Sequence, residues 1–256
     1  MDSSRFAGKL AVVTGASSGI GRATALRILE EGGSVLAVDV AHNDPWPASW
    51  ADRVTSLEVD VADAGAASLV TAAAATQERP VDILVNCAGI LRIAPFLEVS
   101  REDWNRVLGV NLVACFFLTQ AMCRVMVDQG TRGRIVNVSS VHAVVSEPGA
   151  APYTASKGAL EALTRTIATE MAPYGITANC VRPGATFTGM SRPIYTDKIV
   201  RALKERIPIG EIAPPEWVAS AICYLASEEA RYTTGACIDV DGGYGMNGAL
   251  PGMSYQ

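Results

Sequence analysis

Short, almost uninterrupted runs of aliphatic residues recur along this chain, separated by longer stretches with helical spacing. The runs Leu10–Thr14, Ser34–Asp39, Ser56–Asp60, Asp82–Asn86, Arg134–Ser139, Ile176–Val181 and Cys237–Val240 predict strands. Helices are predicted over Ile20–Glu31, Ala64–Gln77, Glu102–Asp128, Pro152–Ala172 and Pro215–Ala226. Strands apolar at every position, rather than at every second one, are covered on both faces. Strand and helix in alternation then require parallel pairing through right-handed crossovers. The expected architecture is α/β: a single doubly wound, Rossmann-type parallel sheet of about seven strands with helices on both faces. No linker-like change of composition divides residues 1–256, so one domain is expected. Two stretches break the rhythm: the loop Asp44–Trp50, bearing proline and tryptophan, and residues 185–213. The second is too long for an ordinary connection and is read as a substrate lid.

Composition narrows the function classes. Hydrophobic residues make up 49% of the chain and charged residues 18%, enough for a sizeable core. The net charge of −5, with no basic run, argues against nucleic acid or an anionic membrane as partner. The apolar runs read as strand-sized, so no membrane-spanning helix is expected. The N-terminal residues show no secretory pattern. Six cysteines without a Cys-x-x-Cys pair sit in apolar surroundings, which reads as reduced thiols in a cytoplasmic protein without a metal site.

The first strand runs into Thr14-Gly-Ala-Ser-Ser-Gly-Ile-Gly21 and then a helix. Glycines at 15, 19 and 21 fit a tight turn that brings helix amides against a diphosphate; a turn needed only for close strand–helix packing fits equally. The second strand ends at Asp39, followed by Val40. A carboxylate there accepts hydrogen bonds from ribose hydroxyls and repels a 2′-phosphate. With Ser18 uncharged and no cation following Asp39, NAD is favoured over NADP. Asp60-Val61 closes the third strand and Asn86-Cys-Ala-Gly89 the fourth, again at the carboxyl edge where open α/β sheets bind ligands.

Ser139 and Ser140 end the fifth strand, thirteen positions before Tyr153 in the case of Ser140. In Tyr153-Thr-Ala-Ser-Lys157 the tyrosine and lysine share one helical face, and an ammonium near a phenol favours the phenolate. An ordinary amphipathic pair is the other reading of these two residues alone. Asn111 falls inside the apolar segment Gly109–Val113, where asparagine is unfavourable in a helix, so a polar contact is expected to hold it.

Together these pieces resemble the short-chain dehydrogenase/reductase family, in the subgroup of roughly this length. The resemblance is carried from end to end by the glycine turn, Asp60-Val61, Asn86-Cys-Ala-Gly89, Asn111, Ser140, Tyr153 with Lys157, Arg182-Pro-Gly184 with Thr188, and Asp241-Gly-Gly243. Cys87 departs from the asparagine more often found there. The resemblance implies Tyr153 as acid/base, Ser140 as hydrogen-bond partner of the substrate oxygen, Lys157 on the nicotinamide ribose, and Asn111 holding a water beside Lys157. It implies cofactor contacts from Gly15, Ser17, Ser18, Gly19, Ile20, Gly21, Asp39, Val40, Asp60, Val61, Asn86, Ala88, Gly89, Tyr153, Lys157, Pro183, Gly184, Thr186 and Thr188. The three-residue gap between Tyr153 and Lys157 points to carbon–oxygen rather than carbon–carbon redox. Arg92, Ser140, His142, Glu147, Phe187 and Met190, with Leu91 and Tyr195, are the candidate substrate contacts. A sugar, hydroxy acid, cyclic alcohol or steroid stays open. The expectation is an NAD-dependent alcohol dehydrogenase or ketoreductase. The alternative is a catalytically silent NAD-sensing or scaffold protein on the same fold. Excess apolar surface on Glu102–Asp128 and Pro152–Ala172, and the family likeness, imply a homotetramer.

Overall fold

The computed structural model describes residues 4–41 and 44–247. The tail Gly245–Gln256, which the sequence offers as closing this chain's pocket or a neighbour's, lies outside them beyond residue 247. Seven parallel strands form one sheet in the order β3-β2-β1-β4-β5-β6-β7. They are β1 (Leu10–Thr14), β2 (Ser34–Asp39), β3 (Val54–Glu58), β4 (Val81–Asn86), β5 (Arg134–Val138), β6 (Thr177–Pro183) and β7 (Cys237–Val240). Strand order reverses between β1 and β4, so a crevice opens at their carboxyl ends. The central strands β1, β4 and β5 are buried at every position, as their unbroken apolar pattern requires. β3 and β7 lie at the edges, and their side chains are mostly half-buried or exposed. β3 begins two residues earlier than its apolar pattern suggests. Its register is set by pairing with β2, from Val35 opposite Val54 to Asp39 opposite Glu58.

Helices α1 (Gly19–Glu30) and α7 (Pro215–Leu225) pack together on one face of the sheet, around Ile28, Leu29, Val218 and Ile222. The other face carries α2 (Ala66–Ala75), α3 (Arg101–Leu108), α4 (Ala114–Asp128) and α5 (Ala151–Met171). Its core is built on Val70, Leu118, Met122, Met126 and Ala168.

Two expectations about segment length are corrected. Residues 101–128 form 28 residues of helix with a mean hydropathy of 1.7 in their most apolar window, so the apolar segments are not all strand-sized. By length and composition this helix is able to cross a membrane; half of that window is buried against the rest of the fold. It is also not one regular α-helix, because Gly109–Val113 takes a wider π-helical turn between α3 and α4. Residues 185–213 are not a bare loop either, since they contain α6 (Asp197–Arg206). The Thr196 hydroxyl caps α6 by accepting a hydrogen bond from the Ile199 amide.

Candidate active site

The turn between β1 and α1 is built around two glycines that no other residue replaces without displacement. A β-carbon on Gly21 would lie 2.1 Å from the Gly15 carbonyl oxygen. One on Gly15, whose φ is +66°, would lie 2.9 Å from the Ala88 amide nitrogen. The β1 turn therefore lies directly against the β4 turn, and Thr14 locks the two together. Its hydroxyl oxygen accepts from the amides of Cys87 at 3.1 Å and Ala88 at 3.0 Å. At the end of β2 the Asp39 carboxylate accepts from the amides of Ser17 and Val40, both at 2.8 Å. Asp60 accepts from Arg106 at 2.7 Å. Burial pushes the Asp60 carboxyl up, but the Ala62 amide and Arg106 outweigh it and leave it below its ordinary value.

These strand ends open into one cavity of 860 Å³ that runs from Asp39 and Asp60 to Tyr153 and Tyr195. At its reacting end, Lys157 is buried and its ammonium donates to the Val138 carbonyl at 2.7 Å, beneath the Tyr153 ring. The Lys157 nitrogen lies 5.6 Å from that ring's centre. Ser140 caps a short turn by accepting a hydrogen bond from the His142 amide at 3.1 Å, which leaves its hydroxyl proton free to donate. The π-helical turn explains why an amide sits inside an apolar helix. Asn111 is fully buried, accepts from the Ile90 amide at 2.9 Å and donates to the Ile90 carbonyl at 3.0 Å and to Ser156 at 3.2 Å. Such turns recur at functional sites. Those bonds use both hydrogens of the amide and one lone pair of its oxygen, leaving a second lone pair for a further partner.

Of the residues expected to contact cofactor or substrate, most line this cavity. Ser17, Asn86, Asn111, Arg92 and Phe187 do not. Ser17 donates its amide to Asp39 at 2.8 Å. The Asn86 side chain turns into the sheet, where its amide donates to Thr119 at 2.9 Å and to Asn137 at 2.8 Å. Arg92 lies outside, 3.7 Å from Asp103 in the first turn of α3. Phe187 is half exposed, its ring edge-on to Tyr195 at 5.7 Å, and Tyr195 takes the place at the cavity wall. Sequence reasoning missed Arg106, Tyr244, and Ile199 and Leu203 of α6, all of which line the cavity. The Thr196 cap and the i,i+4 spacing of Ile199 and Leu203 were the available signals for α6. Cys87 also lines the wall, but burial pushes its thiol up to about 12, which leaves no thiolate for nucleophilic chemistry. Among the described residues, no group of three or more His, Cys, Asp or Glu is placed to hold a metal ion.

A glycine-rich strand–turn–helix and a tyrosine–lysine pair lining one cavity mark the site of an oxidoreductase. Residues 15–245 match the family described as enoyl-(acyl carrier protein) reductase. The chain is 38% identical over 255 residues to a (3R)-3-hydroxyacyl-CoA dehydrogenase of Canis lupus familiaris, covering 94% of this chain and 98% of that one. Among solved structures it is similar to a gluconate 5-dehydrogenase from Burkholderia cenocepacia in complex with NADP and tartrate. The TM-score is 0.88 at 31% identity, covering 96% of this chain and 98% of that one. It is equally similar to a 4-hydroxyisoleucine dehydrogenase complexed with NADH, with a TM-score of 0.88 at 31% identity over 93% and 99% of the two chains. The chain belongs to the short-chain dehydrogenase/reductase family.

Proposed function

We propose that this protein is an NAD-dependent oxidoreductase that interconverts a secondary alcohol and a ketone, with Tyr153 as the acid/base. The convergence of Ser140, Tyr153 and Lys157 on one wall of the cavity carries the reading. In the oxidative direction the substrate hydroxyl gives its proton to the Tyr153 oxygen as its carbon becomes a carbonyl; reduction reverses the transfer. The Lys157 ammonium stabilises negative charge on that phenol, and Ser140 donates to the substrate oxygen and fixes its position. The hydride chemistry belongs to the nicotinamide when it is bound. The glycine turn, the first amides of α1 and the Asp39 carboxylate fit a dinucleotide, since Gly15, Gly19, Gly21 and Asp39 line the same cavity and a helix N-terminus suits a diphosphate. An NADH-fluorescence screen of sugars, hydroxy acids, cyclic diols and steroids tests the function. Protein that binds NADH and turns over none of these classes would overturn it.

Asp39 supports NAD as the coenzyme. Of the two solved structures compared above, one carries NADH and the other NADP, so the choice falls to this chain's own residues. The nearby Arg22 is engaged: it stacks over Trp46 at 4.7 Å and donates to the carbonyls of Asp44 and Pro45. A 2′-phosphate close to the Asp39 carboxylate costs about 1–4 kcal/mol, a preference for NAD of about 10- to 10³-fold in kcat/KM. Asp39→Ala with Val40→Arg is expected to move that ratio toward NADP. Equal use of both coenzymes by the wild type would show that Asp39 does not select.

Assembly into a homotetramer is the accompanying proposal. Phe117 and Val113 lie exposed on the outer side of the 101–128 segment, and an apolar groove between α4 and α5 is lined by Phe116, Cys123, Val127, Ile167 and Met171. Apolar helix surface beyond what the sheet covers calls for a second copy. Light scattering is expected to give four times the chain mass of 26.9 kDa; a monomer at micromolar concentration would refute it.

A further inference from the structure

Resting on the oxidoreductase reading above, we infer that His142 and Glu147 select an uncharged polyhydroxylated substrate and that Glu147 excludes carboxylate- and phosphate-bearing ones. The cavity sorts substrates by charge. Its lining holds three side chains that are, or become, cationic: Arg106, Lys157 and His142. Arg106 belongs to the far end, where it pairs with Asp60 at 2.7 Å. Lys157 is buried beneath Tyr153 on the Val138 carbonyl. His142 faces acceptors with both ring nitrogens, the Val145 carbonyl at 3.3 Å and the Glu147 carboxylate at 3.3 Å. Among the described residues, each cationic side chain of the lining thus already faces a partner within the protein, and Arg206, next to the lining, stacks over Tyr244 at 4.6 Å. The carboxylate there is that of half-exposed Glu147, which faces His142 and whose charge also reaches Tyr195.

The same groups define what fits. Glu147 has lone pairs beyond the one facing His142 and accepts from hydroxyl donors. The Tyr195 and Tyr244 phenols line the same region. Burial raises the Tyr195 phenol above its ordinary range, so it stays a neutral hydroxyl that donates as well as accepts. His142 adjoins the catalytic wall directly, because its own amide holds the Ser140 hydroxyl. A substrate whose reactive carbinol is flanked by further hydroxyls meets donors and acceptors on each side. A carboxylate on the same carbon skeleton meets Glu147. The residues beyond 247, whatever their position, add no Lys, Arg or His.

Matched pairs test this with the intact protein and NAD: xylitol against xylonate, sorbitol against gluconate, and mannitol against mannonate, each read as kcat/KM. We expect the wild type to prefer the alditol of each pair by about tenfold or more, the worth of roughly 1.4 kcal/mol of like-charge repulsion. Glu147→Gln is expected to shrink that ratio about tenfold through a lower KM for the aldonates, with kcat little changed. Because Glu147 is half exposed, this variant folds; His142→Asn gives a second reading, raising KM for the alditols. Aldonates used as well as alditols by the wild type, or a Glu147→Gln ratio equal to wild type, would overturn the specificity and leave the dehydrogenase standing. A uniform fall in kcat for both classes would make Glu147 structural and overturn it too. Turnover of other alcohols but of neither class overturns the specificity alone, and turnover of no alcohol at all overturns both.

Discussion

Tyr153→Phe is expected to lower kcat by about 10²–10⁴-fold, the span that a positioned acid/base contributes, while NADH affinity changes little. The substitution keeps the aromatic ring in the first turn of α5 and removes only the oxygen. Lys157 is held by the Val138 carbonyl, so its ammonium stays in place when the phenol is lost. Ser140 is likewise fixed from elsewhere, by the His142 amide. The three side chains thus have separate anchors, and the variant isolates proton transfer from positioning. Initial rates on the best alcohol from the screen, together with a fluorescence titration of NADH, separate the two effects. A variant retaining more than about a tenth of the wild-type rate sinks the assignment of Tyr153. Activity lost together with NADH binding would point instead to a disrupted site.

Which parts of this site a sequence reader sees depends on how local their cause is. β1, β2 and β7 have the limits their aliphatic runs predict, because the residues that form each strand also mark its ends. Gly15, Gly21 and Asp39 are legible for the same reason, lying in a fixed strand–turn–helix order. β3 slips because its partner, rather than its own pattern, sets the register. The π-helical turn at Gly109–Val113 leaves one trace in the sequence, a misplaced Asn111, and the shape of the turn depends on Ile90 and Ser156 across the fold. Asn86 shows the limit of motif reading. Alternation along β4 turns its side chain into the sheet, toward Thr119 and Asn137, and away from the cavity its neighbours line. Arg92 and Phe187 lie outside the lining, beside Asp103 and Tyr195, neighbours that their own local sequence does not name.

The largest expected loss of stability comes from a group that no motif announced. Glu161, one turn beyond Lys157 on α5, is buried and bound in bidentate fashion by Arg182 of β6, at 2.6 and 2.7 Å. It also accepts from the Ser139 hydroxyl at 2.7 Å, so one carboxylate ties α5 to the ends of β5 and β6. Its hydrogen bond to Glu161 is the main reason the Arg182 guanidinium is held above its ordinary range, with Asp239 at 3.2 Å adding to it. Burying such a pair gains little over apolar packing, but removing one partner strands a charge and costs about 3–5 kcal/mol. Arg182→Leu is therefore expected to lower the melting temperature by roughly 10 °C, at about 2–4 °C per kcal/mol for a chain of this size. The double variant Arg182→Leu with Glu161→Leu is expected to recover most of that loss, since neither charge is then left alone. Circular dichroism melts of both proteins at equal concentration make the comparison. Ser139 precedes Ser140, and Arg182 precedes Pro183 and Gly184 at the cavity wall, so kcat should fall with stability in the single variant. A melting temperature unchanged by Arg182→Leu, or a double variant no more stable than the single one, would show that the stranded carboxylate is not what the fold depends on here.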